Sequence, residues 1–309
     1  MRGAFAATLT ELAQIDSRIF LLTGDLGYMA LEPFANKFPD RFINVGVAEQ
    51  NMVGIATGLA EAGFLPFVYS IVTFATLRPY EFIRNGPILQ HLPVRIVGIG
   101  GGVEYAHNGA SHYGLEDIAV MRTQPGMTVV APADAQQTRS ALLATYALPQ
   151  PIYYRLGKDD KQMMPGLNGQ FSLGKIQKIR DGSDLVIVSL GAIAVEANRA
   201  CDLLLAQGIK ASLLLVSSFN PSPTKELADY LQGFDSVITL EAHYASGGLA
   251  SFVSEVIAQQ GVSCKLTRCA VENTPDGITG SQKFMHKRLG ISAESVQRLG
   301  STLKLGALF

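Results

Sequence analysis

The sequence predicts an α/β protein of two doubly wound domains, a mostly parallel sheet followed by a smaller α/β domain. Its 309 residues suffice for two domains, and 48% of them are hydrophobic, which suits a globular chain with a sizeable core. Short apolar runs alternate with stretches of helical periodicity along the first half of the chain. A polar stretch containing glycine and proline interrupts this alternation, which then resumes.

The first domain is predicted at residues 1–165, where strands and helices alternate. The strands are predicted at Ile19–Thr23, Phe42–Val45, Pro66–Tyr69, Val94–Gly98, Thr128–Ala131 and Ile152–Arg155. The helices between them are predicted at Gly3–Gln14, Ala48–Ala62, Phe74–Arg84 and Ala133–Ala147. Because strands joined through helices usually pair in parallel, this order predicts a doubly wound sheet.

Residues 166–182 are predicted to link the domains, because the polar stretch to which they belong contains several glycine and proline residues. The second domain is predicted at residues 183–309. Its strands are predicted at Asp184–Ser189, Ala211–Val216, Ser236–Leu240 and Cys264–Arg268. Its helices are predicted at Ala194–Gln207, Thr224–Leu231 and Gly247–Gln259.

The composition argues against several classes of function. The net charge is −1 without a basic or acidic block, so neither nucleic acid nor a membrane surface is indicated as a partner. The apolar runs are too short to span a bilayer, and the N-terminus resembles an amphipathic helix more than a signal peptide. The three cysteines form no disulfide pattern, which predicts a reduced, cytoplasmic protein. No motif has metal-ligand spacing, so no metal site is predicted in this chain alone.

The stretch Asn44–Asn51 places the carboxylate of Glu49 at the first turn of a helix, just after a predicted strand. Acidic residues are common there because free backbone N–H groups and the helix dipole favour negative charge, so Glu49 fits an ordinary helix start. However, ligands of open α/β sheets bind at the carboxyl ends of strands. Position alone therefore leaves both interpretations of Glu49 open.

Phe74, Leu77 and Tyr80 are spaced three residues apart and broadly share one helix face. Such a stripe is typical of a core and also occurs beside cofactors. Here it begins at the carboxyl end of the strand next to the one that presents Glu49. Gly54 further along the Glu49 helix, with another glycine four residues later, predicts close packing of another element, within the domain or across a subunit interface.

His112 follows the glycine-dense stretch Gly98–Gly102, which allows a backbone to approach a ligand closely. A histidine titrates near neutral pH and can transfer protons. A solvated loop histidine remains the alternative on position alone. The stretch Glu241–His243 also allows two interpretations. It could bind an anion at the start of a helix, or it could form a tight turn with a capping residue.

In this order, the motifs resemble the pyrimidine-binding domain of transketolases, thiamine diphosphate enzymes that transfer two-carbon ketol units between sugars. The resemblance is carried by Phe42–Ala56, Pro66–Ser70, Thr73–Glu81, Leu22–Leu26, His107–His112, Glu116–Asp117 and Val130–Asp134. It covers about residues 1–160, and extends more loosely to the rest through Glu241–His243 and Gly247–Leu249.

The resemblance implies roles around thiamine diphosphate. Glu49 is expected to share a proton with N1′ of the aminopyrimidine, and apolar surroundings are expected to raise its pKa. Phe74, Leu77 and Tyr80 are expected to border the pyrimidine, and Asp25 to lie near the thiazolium side. The catalytic residues implied are therefore Glu49 and His112.

The resemblance also implies a substrate site. His112 is expected to bind substrate oxygens, with His107 and Asn108 nearby. Arg2 and Lys158 are expected to bind the far end of the sugar. Several positions depart from the family pattern, since Met29, Gly100, Asn108 and Lys158 stand where serine, histidine, aspartate and arginine are expected. A specialised or unphosphorylated sugar is therefore a hypothesis.

The diphosphate signature of the family, Gly-Asp-Gly followed by Asn, is absent from the sequence, and Gly24-Asp25-Leu26 does not replace it. The resemblance thus implies the C-terminal subunit of a split transketolase, combining a pyrimidine-binding domain with a transketolase C-terminal domain. An N-terminal subunit would hold the diphosphate and Mg²⁺, and two copies of each would form an α2β2 heterotetramer.

Three alternatives remain. A β subunit of a 2-oxoacid dehydrogenase-like enzyme shares this layout and cofactor, although it fits poorly with Ala48–Asn51 and Thr73–Tyr80. A fragment of deoxyxylulose-phosphate synthase is another alternative. A non-catalytic assembly subunit is the third, and Glu49, Phe74, Tyr80 and His112 argue against it.

Overall fold

The computed structural model describes residues 1–306, so the last three residues of the predicted second domain lie outside the described part. Within it, the strands form two mostly parallel sheets flanked by helices, which confirms the predicted fold class. The strands are β1 (Ile19–Thr23), β2 (Phe42–Asn44), β3 (Leu65–Ile71), β4 (Arg95–Ile99), β5 (Thr128–Val130), β6 (Ile152–Leu156), β7 (Ile176–Arg180), β8 (Leu185–Ser189), β9 (Ala211–Val216), β10 (Ser218–Phe219), β11 (Ser236–Tyr244) and β12 (Lys265–Val271).

The α-helices of the described chain lie before, between and after these strands. They are α1 (Arg2–Ile15), α2 (Glu32–Lys37), α3 (Glu49–Glu61), α4 (Val72–Thr76), α5 (Tyr80–Ile83), α6 (Asp117–Arg122), α7 (Ala135–Thr145), α8 (Ala194–Leu205), α9 (Thr224–Leu231), α10 (Leu249–Gln260), α11 (Gln282–Arg288) and α12 (Ala293–Gly306). None of the helices in residues 1–306 has the length and apolar character that crossing a membrane requires.

The first sheet has the strand order β10-β5-β6-β4-β3-β1-β2, and every neighbouring pair except β10 with β5 is parallel. Its central strands β3, β4 and β6 are buried at every position, because both faces are covered by helices. Consecutive residues contribute to opposite faces: Leu22 and Val68 pack on one side, and Leu21 and Phe67 on the other. This burial explains why most residues of these strands are apolar in the sequence.

The helix predicted at Phe74–Arg84 is wrong as a single element, because the chain forms α4, a break at residues 77–79, and then α5. Pro79 explains the break. Its ring carries no N–H to donate to the carbonyl four residues earlier, and it clashes with that carbonyl. The break separates Phe74 from Tyr80 and directs the two side chains to different surroundings.

The second sheet has the order β12-β11-β8-β9-β7, with β7 antiparallel to β9. β7 falls within residues 166–182, so the segment expected to be a linker contains an edge strand of the second sheet. Its sequence, Ile-Gln-Lys-Ile-Arg, is too polar to resemble a core strand. Edge strands commonly carry such charged residues, since one side faces water. The limits of the two domains stay a prediction.

A buried ion pair between Arg155 and Asp117, together with its hydrogen bonds, connects the two sheets. Arg155 on β6 donates from Nε to Asp117 Oδ2 at 2.7 Å, and from Nη2 to the Ala242 carbonyl of β11 at 2.9 Å. The Tyr153 hydroxyl donates to the same Asp117 oxygen at 2.7 Å. Arg155 also donates to the Gly114 carbonyl, at 3.1 Å. The loop between β4 and α6, which carries His112, is thereby fixed to both sheets.

Candidate active site

The candidate site lies at the carboxyl edge of the first sheet. There β1 has β2 on one side and β3 on the other, so successive connections leave in opposite directions. This arrangement opens a crevice in which ligands of doubly wound sheets bind. Gly24 follows β1, Glu49 follows β2, and Ser70 lies near the end of β3. The predicted placement of Glu49 beside the carboxyl end of a strand is confirmed.

Glu49 begins α3, and only 2% of its side chain is exposed. Its Oε1 accepts a hydrogen bond from Ser70 Oγ at 3.1 Å, and its Oε2 pairs with Arg78 Nη1 at 3.0 Å. A β-carbon at Gly24 would lie 3.4 Å from Oε1, so the backbone after β1 closes against the carboxylate. The surroundings of Glu49 are therefore polar, whereas the sequence led us to expect apolar neighbours.

Phe74, in α4, is connected to this carboxylate through Arg78. The guanidinium carbon of Arg78 is 3.9 Å from the centroid of the Phe74 ring. The His112 ring packs edge-on against Phe74, with 5.1 Å between ring centroids. The hydroxyl of Thr73 donates to the Tyr113 carbonyl at 3.2 Å, which holds the His112 loop against α4. Glu49, Phe74 and His112, predicted from separate motifs, are thus joined through Arg78 and the Phe74 ring.

Glu49, Arg78, Phe74 and His112 form a row of contacting side chains. The row continues from His112 through Tyr105 to Lys158. The rings of Tyr105 and His112 have centroids 6.3 Å apart, and Lys158 Nζ lies 4.6 Å from the Tyr105 centroid. Tyr105 fits only because residue 100 is glycine: a β-carbon there would lie 2.2 Å from Tyr105 Cε2, and its φ is +81°. Gly100 thus makes room for an aromatic ring that sequence reasoning did not single out.

The end of the row at Lys158 is rich in charged groups. The Lys158 backbone N–H donates to Glu104, and burial raises the pKa of the Glu104 carboxyl to about 7. Arg2 begins α1 and is close enough to Tyr105 to oppose the rise in the pKa of the Tyr105 hydroxyl that burial causes. The N-terminal amine forms an ion pair with Asp160 at 2.9 Å. Lys158 therefore lies over the Tyr105 ring and the charge of Arg2 acts on its hydroxyl, while a shared role of Arg2 and Lys158 in one site stays a prediction.

Other predicted residues lie outside this row. The Tyr80 hydroxyl donates to the Val120 carbonyl at 2.9 Å, so this ring packs toward α6, and Leu77 lies exposed in the break before α5. His107 and Asn108 are exposed in the loop that leads to His112. The structure records no contact of these four side chains with Glu49.

Asp25 is exposed just beyond Gly24, with a left-handed backbone at φ +59°. Asn44 Nδ2 donates to Asp25 Oδ1 at 3.0 Å, and the Tyr28 hydroxyl donates to the same oxygen at 3.1 Å. These hydrogen bonds, that of Asn44 first, lower the pKa of the Asp25 carboxyl. Asp25 lies at the mouth of the crevice, and its expected place near the thiazolium side of the cofactor stays a prediction.

The turn around Glu241 serves as a cap. Glu241 is fully buried, and its two oxygens accept the N–H groups of Leu249 at 2.7 Å and Ala250 at 2.8 Å. Gly248 is required here because a β-carbon would lie 2.1 Å from Glu241 Oε2. The Glu241 carboxylate thus accepts the free N–H groups at the start of α10, where an anion would otherwise bind. This confirms the interpretation of the turn as a helix cap. Within residues 1–306, no group of three or more His, Cys, Asp or Glu side chains is arranged to hold a metal ion.

Comparison with known families shows to which family this chain belongs. The family described as "Transketolase, pyrimidine binding domain" matches residues 1–162, and "Transketolase, C-terminal domain" matches residues 174–296. The chain belongs to the transketolase family. It corresponds to the pyrimidine-binding and C-terminal domains of that family, as the resemblance of its motifs predicted.

Transketolase subunits are also among the individual proteins that this transketolase chain resembles. It is 35% identical to a subunit of the apulose-4-phosphate transketolase of Phocaeicola vulgatus, over 96% of this chain and 94% of that protein. It is 33% identical to a subunit of the 6-deoxy-6-sulfo-D-fructose transketolase of Clostridium sp., over 96% and 92%. A solved structure described as "Split gene transketolase, inactive beta4 tetramer" matches with a TM-score of 0.88 and 32% identity, covering 98% of both chains.

Sequence reasoning missed three residues of this candidate site, namely Ser70, Arg78 and Tyr105. Ser70 and Arg78 lie inside the stretches that carry the family resemblance, but no spacing rule pairs either residue with Glu49. Pro79 could have indicated the role of Arg78, because it breaks the helix and places Arg78 in the non-helical segment between α4 and α5. The role of Tyr105 could have been predicted from the glycines before it, because glycine has no side chain and allows a bulky group to pack against the backbone.

Proposed function

We propose that this chain is the pyrimidine-binding subunit of a thiamine diphosphate-dependent transketolase. It would transfer a two-carbon ketol unit from a ketose donor to an aldose acceptor. The observation that carries the proposal is the buried carboxylate of Glu49 beside the Phe74 ring, in the crevice between β1 and β3.

The residues present fit the pyrimidine end of the cofactor. Glu49 and Phe74 together already hold a planar group with N–H donors, namely the Arg78 guanidinium. An aminopyrimidine is also planar and also carries ring nitrogens and N–H donors. When bound, thiamine diphosphate supplies the carbon nucleophile and the electron sink for carbon–carbon bond cleavage. Glu49 would hold and return a proton at the pyrimidine N1′ atom, while Phe74 would orient the ring.

Three further predicted residues would complete the cofactor site. Asp25 lies at the mouth of the crevice and stays ionised through its hydrogen bonds, so it would face the cationic thiazolium side. Leu77 and Tyr80 would contribute at the margin of the pyrimidine, in keeping with their places on either side of the Pro79 break.

The substrate would lie along the row from His112 to Lys158. His112 would donate hydrogen bonds to substrate oxygens and transfer protons, supported by its contact with Phe74. His107 and Asn108 would contact substrate hydroxyls from the exposed loop. Lys158 and Arg2, near the ring of Tyr105, would attract an anionic group at the far end of the sugar. Lysine binds such a group as a point charge without the bidentate geometry of arginine.

The chain would work only with a second subunit, which would hold the diphosphate and Mg²⁺. Three large apolar side chains surround the crevice and are mostly exposed: Tyr28 at 69%, Met29 at 92% and Val47 at 73%. Such a rim suits a surface that another chain covers. A β-carbon added at Gly54 or Gly58 of α3 would meet nothing within 4 Å, which supports a contact of this helix with a second copy. We therefore propose an α2β2 heterotetramer.

The substrate is proposed to be a specialised sugar. Two relatives are named for apulose 4-phosphate and for 6-deoxy-6-sulfofructose, and both sugars carry an anionic group. Lys158 and Arg2 are compatible with such a group. The cysteines of the described chain are free, which fits a reducing compartment, and we propose a cytoplasmic location on that basis.

The proposal is tested by co-purifying this chain with a candidate subunit that carries the Gly-Asp-Gly signature. We expect a stable complex that binds thiamine diphosphate with Mg²⁺ and transfers ketol units, and Glu49→Ala should lower turnover by about 10²–10⁴-fold. Glu61→Ala, an exposed glutamate at the other end of α3, is the matched control and should be fully active. Turnover of a 2-oxoacid but no ketose would favour a dehydrogenase-like enzyme, and a complex without cofactor binding would indicate an assembly role.

A further inference from the structure

Arg78 makes both of its recorded contacts with the two groups that the proposed function assigns to the cofactor. Its Nη1 bonds to Glu49 Oε2 at 3.0 Å, and its guanidinium carbon lies 3.9 Å from the Phe74 centroid. One flat cation therefore covers the open oxygen of the carboxylate and one face of the ring. The other oxygen of Glu49 already accepts the Ser70 hydroxyl at 3.1 Å.

An aminopyrimidine held by Glu49 and Phe74 would need the same oxygen and the same ring. Ser70 and the backbone at Gly24 lie against Oε1, so Oε2 is the side of the carboxylate from which a ligand can approach. A guanidinium resembles a protonated aminopyrimidine in being planar, cationic and rich in N–H donors. The two groups cannot be bound to Glu49 Oε2 and stacked on the same face of Phe74 at the same time.

We infer that Arg78 is an internal competitor of the cofactor's aminopyrimidine, which occupies Glu49 and Phe74 until the pyrimidine displaces it. The inference rests on the proposed function. Arg78 neutralises a buried carboxylate while it is in place, and an unpaired buried charge would be costly. The binding of cofactor is therefore coupled to the movement of one side chain.

The position of Arg78 allows this movement. The residue belongs to the non-helical break at residues 77–79, and 40% of its side chain is exposed, whereas Glu49 has 2%. The guanidinium can therefore turn into solvent without opening the core. Arg84, six residues further on, is also exposed but bonds to the neighbouring Asn85 and not to Glu49. It is a matched control within the same segment.

The experiment measures binding of the pyrimidine itself. We propose to titrate 4-amino-5-hydroxymethyl-2-methylpyrimidine into the isolated full chain, followed by NMR, with wild type, Arg78→Ala and Arg84→Ala. Removing the competitor should tighten binding by roughly tenfold, which corresponds to about 1.4 kcal/mol. Arg84→Ala should bind like the wild type. Arg78→Gln keeps an N–H donor for Glu49 and serves if the alanine variant does not fold, with tighter binding again expected.

A second measurement follows thiamine diphosphate and Mg²⁺ binding to the complete complex. If the wild-type complex binds the cofactor but Arg78→Ala binds equally or more weakly, the competition is refuted while the proposed function stands. If no variant of the complex binds the cofactor, the proposed function itself fails. Failure of Arg78→Ala to bind the pyrimidine at its solubility limit also overturns the competition.

A double-mutant cycle checks that Glu49 and Arg78 pair in solution, and it does not involve the cofactor. The melting temperatures of Glu49→Gln, Arg78→Met and the double variant are compared with that of the wild type. The two single changes should be non-additive, because each removes the same interaction. Additive shifts would show that the pair is not formed, and would overturn the inference.

Discussion

Two buried glutamates at the carboxyl ends of strands differ in the partners that satisfy them. Glu241, on β11, accepts two backbone N–H groups from the first turn of α10. Glu49, after β2, is bonded to two side chains, Ser70 and Arg78, and Arg78 is partly exposed. Backbone partners cannot leave without unfolding a helix, whereas an exposed side chain can. Glu241 is therefore suited to a structural role, and Glu49 can exchange one partner for a ligand.

Asp117 extends the comparison, since it is another buried carboxylate near the site. Its partners are Arg155 and Tyr153, both of which are buried on β6. The Arg155 guanidinium also holds carbonyls of Gly114 and Ala242. A cation with so many fixed acceptors has no path to solvent. The contrast between Arg155 and Arg78 shows that the exposure of the cation, and not the ion pair alone, distinguishes the two sites.

The largest effect on stability is expected for Asp117→Ala. The substitution leaves the buried Arg155 charge uncompensated, which should lower the free energy of unfolding by about 3–5 kcal/mol. Urea denaturation of the isolated chain measures this. Glu11→Ala removes an exposed pair with Arg139 and is the control, with an expected loss below about 1 kcal/mol. Equal losses in the two variants would mean that burial does not set the strength of these pairs.

Glu241→Ala and Glu49→Ala compare the two glutamates directly. Loss of Glu241 leaves two N–H groups of α10 without partners in the core, which should cost about 2–3 kcal/mol of stability. Loss of Glu49 should cost only about 1 kcal/mol, because Arg78 can turn to solvent. Unfolding free energies of both variants test the ranking. The reverse order would show that Arg78 cannot leave its place, and would remove the distinction drawn between the two carboxylates.

Much of this arrangement could be predicted from the sequence. Fully buried strands of a parallel sheet appear as apolar runs, so β1, β9 and their neighbours were found with small differences at their ends. The short edge strands β7 and β10 were missed. They carry too few apolar residues to be distinguished from loops, and their pairing depends on the rest of the sheet.

The part of the candidate site that could be predicted consists of residues that directly follow strands of the first sheet. Glu49 and Phe74 follow β2 and β3 at the same edge of one sheet, as their places in the chain indicate. The expectation that these two strands are direct neighbours was wrong, because β1 lies between them. The partnership of Glu49 with Arg78 could not be predicted, because it depends on how Pro79 redirects the chain and on the direction of one long side chain. Tyr80 illustrates the same limit, since the break turns its hydroxyl toward Val120 on α6.

A smaller effect than that of Asp117→Ala is expected for Glu104, whose carboxyl combines features of Glu241 and of Glu49. It accepts a backbone N–H from Lys158, as Glu241 does from α10, and burial raises its pKa from 4.5 to about 7. Between these values the folded chain keeps a proton that the unfolded chain has lost. Its contribution to stability is therefore present at low pH and is lost as the pH rises toward 7.

Glu104→Gln removes this titration, so its stability relative to wild type should increase by about 2 kcal/mol between pH 5 and pH 8. Urea unfolding at several pH values measures the difference in unfolding free energy between the variant and the wild type. The contributions of the other titrating groups are the same in both proteins and cancel in this difference. Glu11→Gln, an exposed glutamate paired with Arg139, is the control and should show no such trend. Parallel stability curves for wild type and Glu104→Gln would show that Glu104 is ionised throughout this range. The end of the site near Lys158 would then carry a fixed negative charge, which would disfavour an anionic sugar there.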